Sequence, residues 1–360
     1  MDRGGSLWIQ APAFPVHMSM KGEWSLAVNG RALGRRVTGV ERYASEITRR
    51  LGGGVRVLRP PARLRGPLGH LWEQAVLPLR AGRGSALWSP ANSGPLAHPR
   101  QVVSVHDPGP LEHPEWYHPV FAALYRALLP PLLARAGRVA VPSRAVRQAL
   151  LGRYPWLAGR LEIVPGGVDR QVFYPRGREE VERARLALGL PERYLLSVGS
   201  LQPRKNHARL LAAWELAAPA LPGFTLALAG APGVQFRREA PGPLPPRAVR
   251  LGYVPERLLP ALYSGAAAFV LPSLDEGFGL PLLEALACGA PAAASACGAL
   301  PELAGGAALL FDPLSPEAIS GALLQAAGRE DLRRAGQERA ACFPWERSAA
   351  RVRELLEGLA

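Results

Sequence analysis

Lysine is nearly missing from this 360-residue chain: of its 43 basic residues only Lys21 and Lys205 are lysines, and the other 41 are arginines. With 39 glycines and 37 prolines, that skew has the look of GC-rich codon usage. It weakens the nucleic-acid reading that a net charge of +14 would otherwise invite, and the arginines are scattered rather than clustered with aromatics. Cysteine is scarce too. Cys288, Cys297 and Cys342 are too few and too far apart for a disulfide framework or a zinc site. No run approaches the roughly 18 apolar residues of a membrane span, and residues 1–24 hold no apolar segment of signal-peptide length. Neither half shows a G-x-G-x-x-G after its first strand, which disfavours a dinucleotide oxidoreductase.

What remains is a chain that is 48% hydrophobic and long enough for two α/β domains, expected in the cytoplasm. Residues 1–24 read as a loose extension, with Met18 or Met20 as alternative starts. The first half, residues 25–178, opens on a strand-like run from Ser25 to Asn29, a glycine-containing loop, and a helix with Val40, Tyr43, Ala44, Ile47 and Leu51 at helical spacing. Short apolar runs follow at 55–58, 86–88, 102–105 and 138–141, with helices between, and Ser143 is placed to cap one of them. The second half, residues 179–344, repeats the alternation from Tyr194, with strands expected at 194–199, 225–229, 267–271, 292–295 and 308–311. Such alternation predicts two parallel sheets covered by helices. Charge is uneven between the halves: residues 1–180 hold 25 Lys+Arg against 12 Asp+Glu, residues 181–360 hold 18 against 17. The imbalance fits a basic face for an anionic membrane or acceptor, and equally compositional drift.

The most informative segment runs from Glu276 to Pro291. Gly277, Phe278 and Gly279 form a loop, Pro281 suits the first turn of a helix, and Gly289 suits its end. The short helix therefore aims its N-terminal N–H groups at the end of the sheet, where phosphate or hydroxyl groups bind. Glu276 before it and Glu284 within it are acceptors suited to sugar hydroxyls. A second loop, Gly199 to His207, carries Arg204 and Lys205 at the carboxyl end of a strand, with Asn206 expected to cap the next helix. Gly252-Tyr253-Val254 follows Arg250-Leu251 and precedes a helix. In the first half, His106-Asp107 ends the run from Val102, and a histidine there can donate to a sugar or orient it.

The segment from Glu276 to Glu284 resembles the E-x7-E motif of the retaining glycosyltransferases of family four, whose fold is GT-B: two Rossmann-like domains with parallel sheets facing across a cleft. The resemblance covers about residues 25–355 and is densest over 194–312. It implies that Glu276 meets the donor sugar and Glu284 the nucleotide ribose, and that Phe278, Gly279 and Leu280 hold sugar hydroxyls and phosphate beside Gly277. Arg204 and Lys205, after Gly199, would hold the donor diphosphate. Tyr253 or Val254 would meet the base edge, and His106 would lie beside the donor sugar. Gly39 would let the first loop approach the diphosphate, although Thr38-Gly39 stands here where some members have Gly-Gly. The helix 345–360 would return to the first domain. No Asp-x-Asp is present, which argues for metal-independent transfer with no cofactor beyond the nucleotide-sugar donor. Leu71-Trp72-Glu73-Gln74 and Trp88-Ser89-Pro90-Ala91-Asn92 resemble bacterial mannosyltransferases, so the expected donor is a GDP-sugar ahead of a UDP-sugar. The expected acceptor is a glycan or lipid-linked glycan, reached at the inner face of the cell membrane. The alternatives are a GT-B protein that binds nucleotide-sugar without transferring it, such as an epimerase, and a nucleic-acid binder suggested by charge alone.

Overall fold

The computed structural model describes residues 26–34, 38–64, 66, 68–233, 235–236 and 242–359. The extension over residues 1–24, Ser25, part of the first loop and part of the proline-rich stretch 240–246 lie outside them. Two six-stranded sheets, every pairing parallel, organise the chain. The first contains β1 (Leu26–Asn29), β2 (Val55–Leu58), β3 (Ala86–Ser89), β4 (Gln101–Ser104), β5 (Arg138–Val141) and β6 (Leu161–Ile163), in the order β2-β1-β3-β4-β5-β6. The second contains β7 (Tyr194–Val198), β8 (Thr225–Ala229), β9 (Ala248–Gly252), β10 (Ala268–Leu271), β11 (Ala292–Ser295) and β12 (Leu309–Phe311), in the order β12-β11-β10-β7-β8-β9.

The central strands are short apolar runs because helices cover both of their faces. Ala27, Val28, Leu87, Trp88, Val102 and Val103 are fully buried in the first sheet, as are Leu195, Leu196, Phe269 and Val270 in the second. β6 and β9 are the edge strands that the apolar runs did not announce. Only one neighbour pairs with each, and β9 is half-buried along its whole length, so their sequences carry no continuous apolar signal.

The chain changes cores before the expected boundary at 178: Val168 and Phe173 already pack with Tyr194, Phe269 and Leu283 of the second half. Helix Trp345–Glu357 goes the other way, burying Trp345, Ala349, Val352 and Leu356 against Tyr43 and Ile47 of helix Gly39–Arg50 and against Leu51, which follows it. The return is fixed at Gly167, where a Cβ would sit 2.9 Å from both the Phe343 carbonyl and Trp345 N.

In each sheet the strand order reverses at one place, between β1 and β3 in the first and between β7 and β10 in the second. Loops leaving the carboxyl ends of such strands diverge to opposite faces and open a crevice, the usual ligand position in open α/β sheets.

Candidate donor site

The second crevice lies between the loop after β7, which carries Arg204 and Lys205, and the loop after β10, which carries Glu276. Lys205 Nζ donates to Glu276 Oε1, Ser273 Oγ donates to the same oxygen at 2.7 Å, and Arg204 Nη1 lies 3.5 Å from Glu276 Oε2. All three charged groups are at least nine-tenths buried. Burial alone would raise the Glu276 carboxyl, but Lys205 and Arg204 outweigh it and hold it down at about 2. Burial also lowers Lys205, with Glu276 opposing.

Asn206 departs from the capping role expected of it. Its φ is +58° and its side chain makes no cap bond. Instead Nδ2 donates to the carbonyls of Pro272 and Pro313, at 3.0 and 2.8 Å, so the amide ties the loop after β7 to those after β10 and β12. Gly199 has a comparable structural use. Its N–H donates to Ala229 O at 2.9 Å, and its carbonyl would lie 1.8 Å from a Cβ at Gly230.

Helix Leu280–Ala287 begins at Gly279, whose φ of +104° favours glycine, and its first N–H groups have no intrahelical acceptor. Glu284, one turn in, is buried. Its Oε2 accepts from Tyr263 OH at 3.1 Å and its Oε1 lies 3.1 Å from Arg42 Nη1. Burial raises the Glu284 carboxyl despite Arg42. Arg42 belongs to the first half, on helix Gly39–Arg50, and also reaches Glu256 at 2.9 Å. Nothing in the sequence pattern singled out Arg42 or Tyr263; only the fold brings them to Glu284.

The two halves meet at this place. A Cβ on Gly277 would lie 1.9 Å from the His106 carbonyl, so glycine is what allows the loops after β4 and β10 to touch. Phe278 packs on Gly166 and edge-on to Phe343, while Leu280 joins the core of the first half. Gly39 faces Leu280 at an ordinary 3.7 Å. Arg204 Nη1 also approaches Asp107 Oδ2 at 3.8 Å. His106 Nε2 bonds the Pro90 carbonyl at 2.6 Å, which fixes the proton on Nε2 and leaves Nδ1 as a lone-pair acceptor. Burial lowers its pKa, so the ring is neutral. In that tautomer the other ring nitrogen is an acceptor. Tyr253 and Val254 separate: Tyr253 is half exposed, whereas the Val254 side chain is in the core and can offer a ligand only backbone.

The space beside Arg42, Glu256 and Glu284 is about 30 Å³. That holds little more than a water molecule, against the several hundred Å³ of a typical ligand cleft. A nucleotide-sized group does not fit in this space while Arg42 and Glu284 are in contact.

Residues 192–328 match the model of the glycosyl transferases group 1, and residues 81–172 match that of glycosyltransferase family 4. The O-antigen chain mannosyltransferase B of Escherichia coli is 33% identical over 267 residues, 69% of this chain and 67% of that protein. The chain belongs to the GT-B glycosyltransferase family. A D-inositol 3-phosphate glycosyltransferase of Salinispora tropica is 36% identical over 251 residues, 63% of this chain but only about half of its own length (51%). Among solved structures, Anabaena Alr3699/HepE in complex with UDP and glucose has a TM-score of 0.71 at 16% identity, covering 93% of this chain and all of that one. Sucrose-phosphate synthase from Thermosynechococcus elongatus has a TM-score of 0.69 at 21% identity, over 94% of this chain and 99% of that one. The glycosyltransferase is thus an enzyme of two facing Rossmann-like units. Among its described residues no helix is long and apolar enough to cross a membrane, and no three His, Cys, Asp or Glu side chains gather as a metal site.

Proposed function

We propose that the enzyme transfers a hexose, mannose in preference to others, from a nucleoside-diphosphate sugar to a glycan or lipid-linked acceptor, with retention of anomeric configuration and without a metal. The observation that carries this reading is the convergence of Arg204, Lys205 and Glu276 at the second crevice, with Glu284 on the helix that starts there. Two buried cations and a helix N-terminus stabilise charge on a departing diphosphate. Glu276 and Glu284 take the sugar and ribose hydroxyls, and Nδ1 of His106 accepts from a donor-sugar hydroxyl. Gly277 to Leu280 line the sugar and phosphate, Tyr253 and the Val254 backbone face the base, and Gly39 and Gly199 border the diphosphate. GDP-mannose is favoured by likeness to the E. coli mannosyltransferase. UDP-sugars come second, supported by the UDP in the Anabaena complex. The basic first half supports a position at the cytoplasmic face of an anionic membrane, where a lipid-linked acceptor would be reached.

The test is thermal stabilisation by GDP, UDP, ADP and their sugar conjugates, in the wild type, Glu284→Ala and Lys205→Ala. Stabilisation by one diphosphate, lost in both variants, supports the donor site and identifies the base. A well-folded protein that no nucleotide stabilises overturns it. Transfer abolished by chelator would overturn the metal-free part, and absence of salt-sensitive flotation with anionic vesicles would overturn the membrane part.

A further inference from the structure

The first crevice holds a second buried ionic cluster, and it lies behind His106. Both polar anchors of that histidine come from one turn after β3: its N–H donates to Asn92 Oδ1 at 2.6 Å, and its Nε2 donates to Pro90 O at 2.6 Å. The turn is not in a relaxed state. Asn92 has φ +56°, a left-handed conformation that asparagine tolerates better than other residues bearing a Cβ. Something must hold it, and the next residues show what does. Ser93 Oγ accepts from Arg31 Nη2 at 2.7 Å and donates to Glu73 Oε1 at 3.0 Å. Glu73 Oε1 also takes Arg31 Nε at 3.0 Å and Asn29 Nδ2 at 2.5 Å. Gln74 adds a two-sided grip, donating to Gly94 O at 2.8 Å and accepting from Leu96 N at 3.0 Å. Trp88 Nε1 donates to Ser104 Oγ at 2.9 Å, and Asn92 N–H to Ser104 O at 3.0 Å, which joins the turn to the strand that ends at His106.

We propose that Arg31 and Glu73 are positioning residues for His106, acting through the 90–93 turn to fix the tautomer and direction of its ring. Glu73 is completely buried, so it touches no substrate itself. An apolar pair of similar volume would stabilise this interior as well as a buried ion pair does. What an apolar pair cannot supply is a charged, directional hold on Ser93, and that hold is transmitted over one residue to Asn92. The device also gives the two mannosyltransferase-like segments a common purpose: Glu73 and Gln74 grip Ser93, Gly94 and Leu96, and Pro90 and Asn92 grip His106.

This rests on the reading of His106 as a donor-site residue, and the test keeps the two apart. The full chain, labelled with ¹⁵N-histidine, is compared as wild type, Glu73→Gln and Ser93→Ala, with His106→Gln assigning the His106 signals. The wild type is expected to show a single neutral Nε2-protonated His106 ring. Glu73→Gln and Ser93→Ala are expected to give mixed tautomers, with kcat lowered about 10- to 100-fold and donor KM within about twofold. Folded variants that keep the wild-type His106 pattern would overturn the inference. If Glu73→Gln fails to fold, Ser93→Ala decides, since it deletes a single hydroxyl. A disturbed ring with undiminished transfer would support the positioning role and overturn the placement of His106 in the donor site.

Discussion

Each sheet buries a glutamate beside an arginine at the crevice where its strand order reverses, yet the two glutamates keep different company. Glu73 has one arginine, Arg31, the neutral neighbours Asn29 and Ser93, and His70 Nδ1 3.4 Å from its other oxygen, all from its own half. Glu276 has two cations, Arg204 and Lys205, and the arginine also leans across toward Asp107 of the other half. Both carboxyls are held at about 2 against the pull of burial, so acidity does not distinguish them. The ratio of cations to carboxylates and the origin of the partners do. A one-to-one pair closed within one domain has nothing to offer an anion, and it serves to hold shape. A second cation on one carboxylate, with part of its balance drawn from the other half, is what the proposed diphosphate site needs.

The largest expected effect tests that contrast directly. Lys205→Met removes the surplus cation while Arg204 and Ser273 remain on Glu276. Transfer measured in single turnover should fall about 10²- to 10³-fold, the loss typical of one preorganised electrostatic contact. Arg31→Met should instead lower stability by about 3–5 kcal/mol, because Glu73 is left buried without its cation. A Lys205→Met protein that transfers at the wild-type rate, or an Arg31→Met protein as stable as the wild type, would erase the distinction drawn between the crevices.

Acid should expose both pairs. Each carboxyl is lowered from 4.5 to about 2 on folding, so each contributes stability that is complete above about pH 4.5 and lost as pH falls toward 2. A depression of that size corresponds to about 3 kcal/mol per group. Urea unfolding at pH 7, 4.5 and 3 should show a steep acid limb in the wild type and a shallower one in Glu73→Gln and in Glu276→Gln. A nucleoside diphosphate should oppose acid unfolding in Glu73→Gln, which keeps Arg204, Lys205 and Glu276, more than in Glu276→Gln. Equal limbs in all three proteins would mean that these pairs do not dominate acid stability.

Much of this was legible in the residues themselves. The central strands are apolar runs because they are buried on both faces, and the loop from Glu276 to Gly279 declares a helix start through Gly279 and Pro281. β6 and β9 were illegible because edge strands bury too little to be uniformly apolar. Asn206 was misread for a different reason: before a helix an asparagine reads as a cap, and only the tertiary fold reveals that its amide links three loops. Arg42, Tyr263 and Arg31 lie on helices or loops where periodicity gives them no distinction. Their partners Glu284 and Glu73 are far away in sequence, and no local pattern encodes a contact of that range.

The smallest effect concerns Tyr263. Its hydroxyl donates to Glu284 Oε2 from a fully buried ring, leaving Oε1 to face Arg42. Apart from Arg42, that hydroxyl is the side-chain donor that holds the carboxylate among the described residues. Tyr263→Phe deletes one hydrogen bond without changing the packing of the ring, so stability should drop by about 1 kcal/mol. The nucleotide-induced rise in Tm should shrink but persist, in contrast to its loss in Glu284→Ala. A Tyr263→Phe protein that no nucleotide stabilises would place the phenol in direct contact with ligand. One that responds like the wild type would mean that the helix backbone alone aims Glu284, and the second crevice would then owe its readiness to the fold of residues 276–284 rather than to the side chains around it.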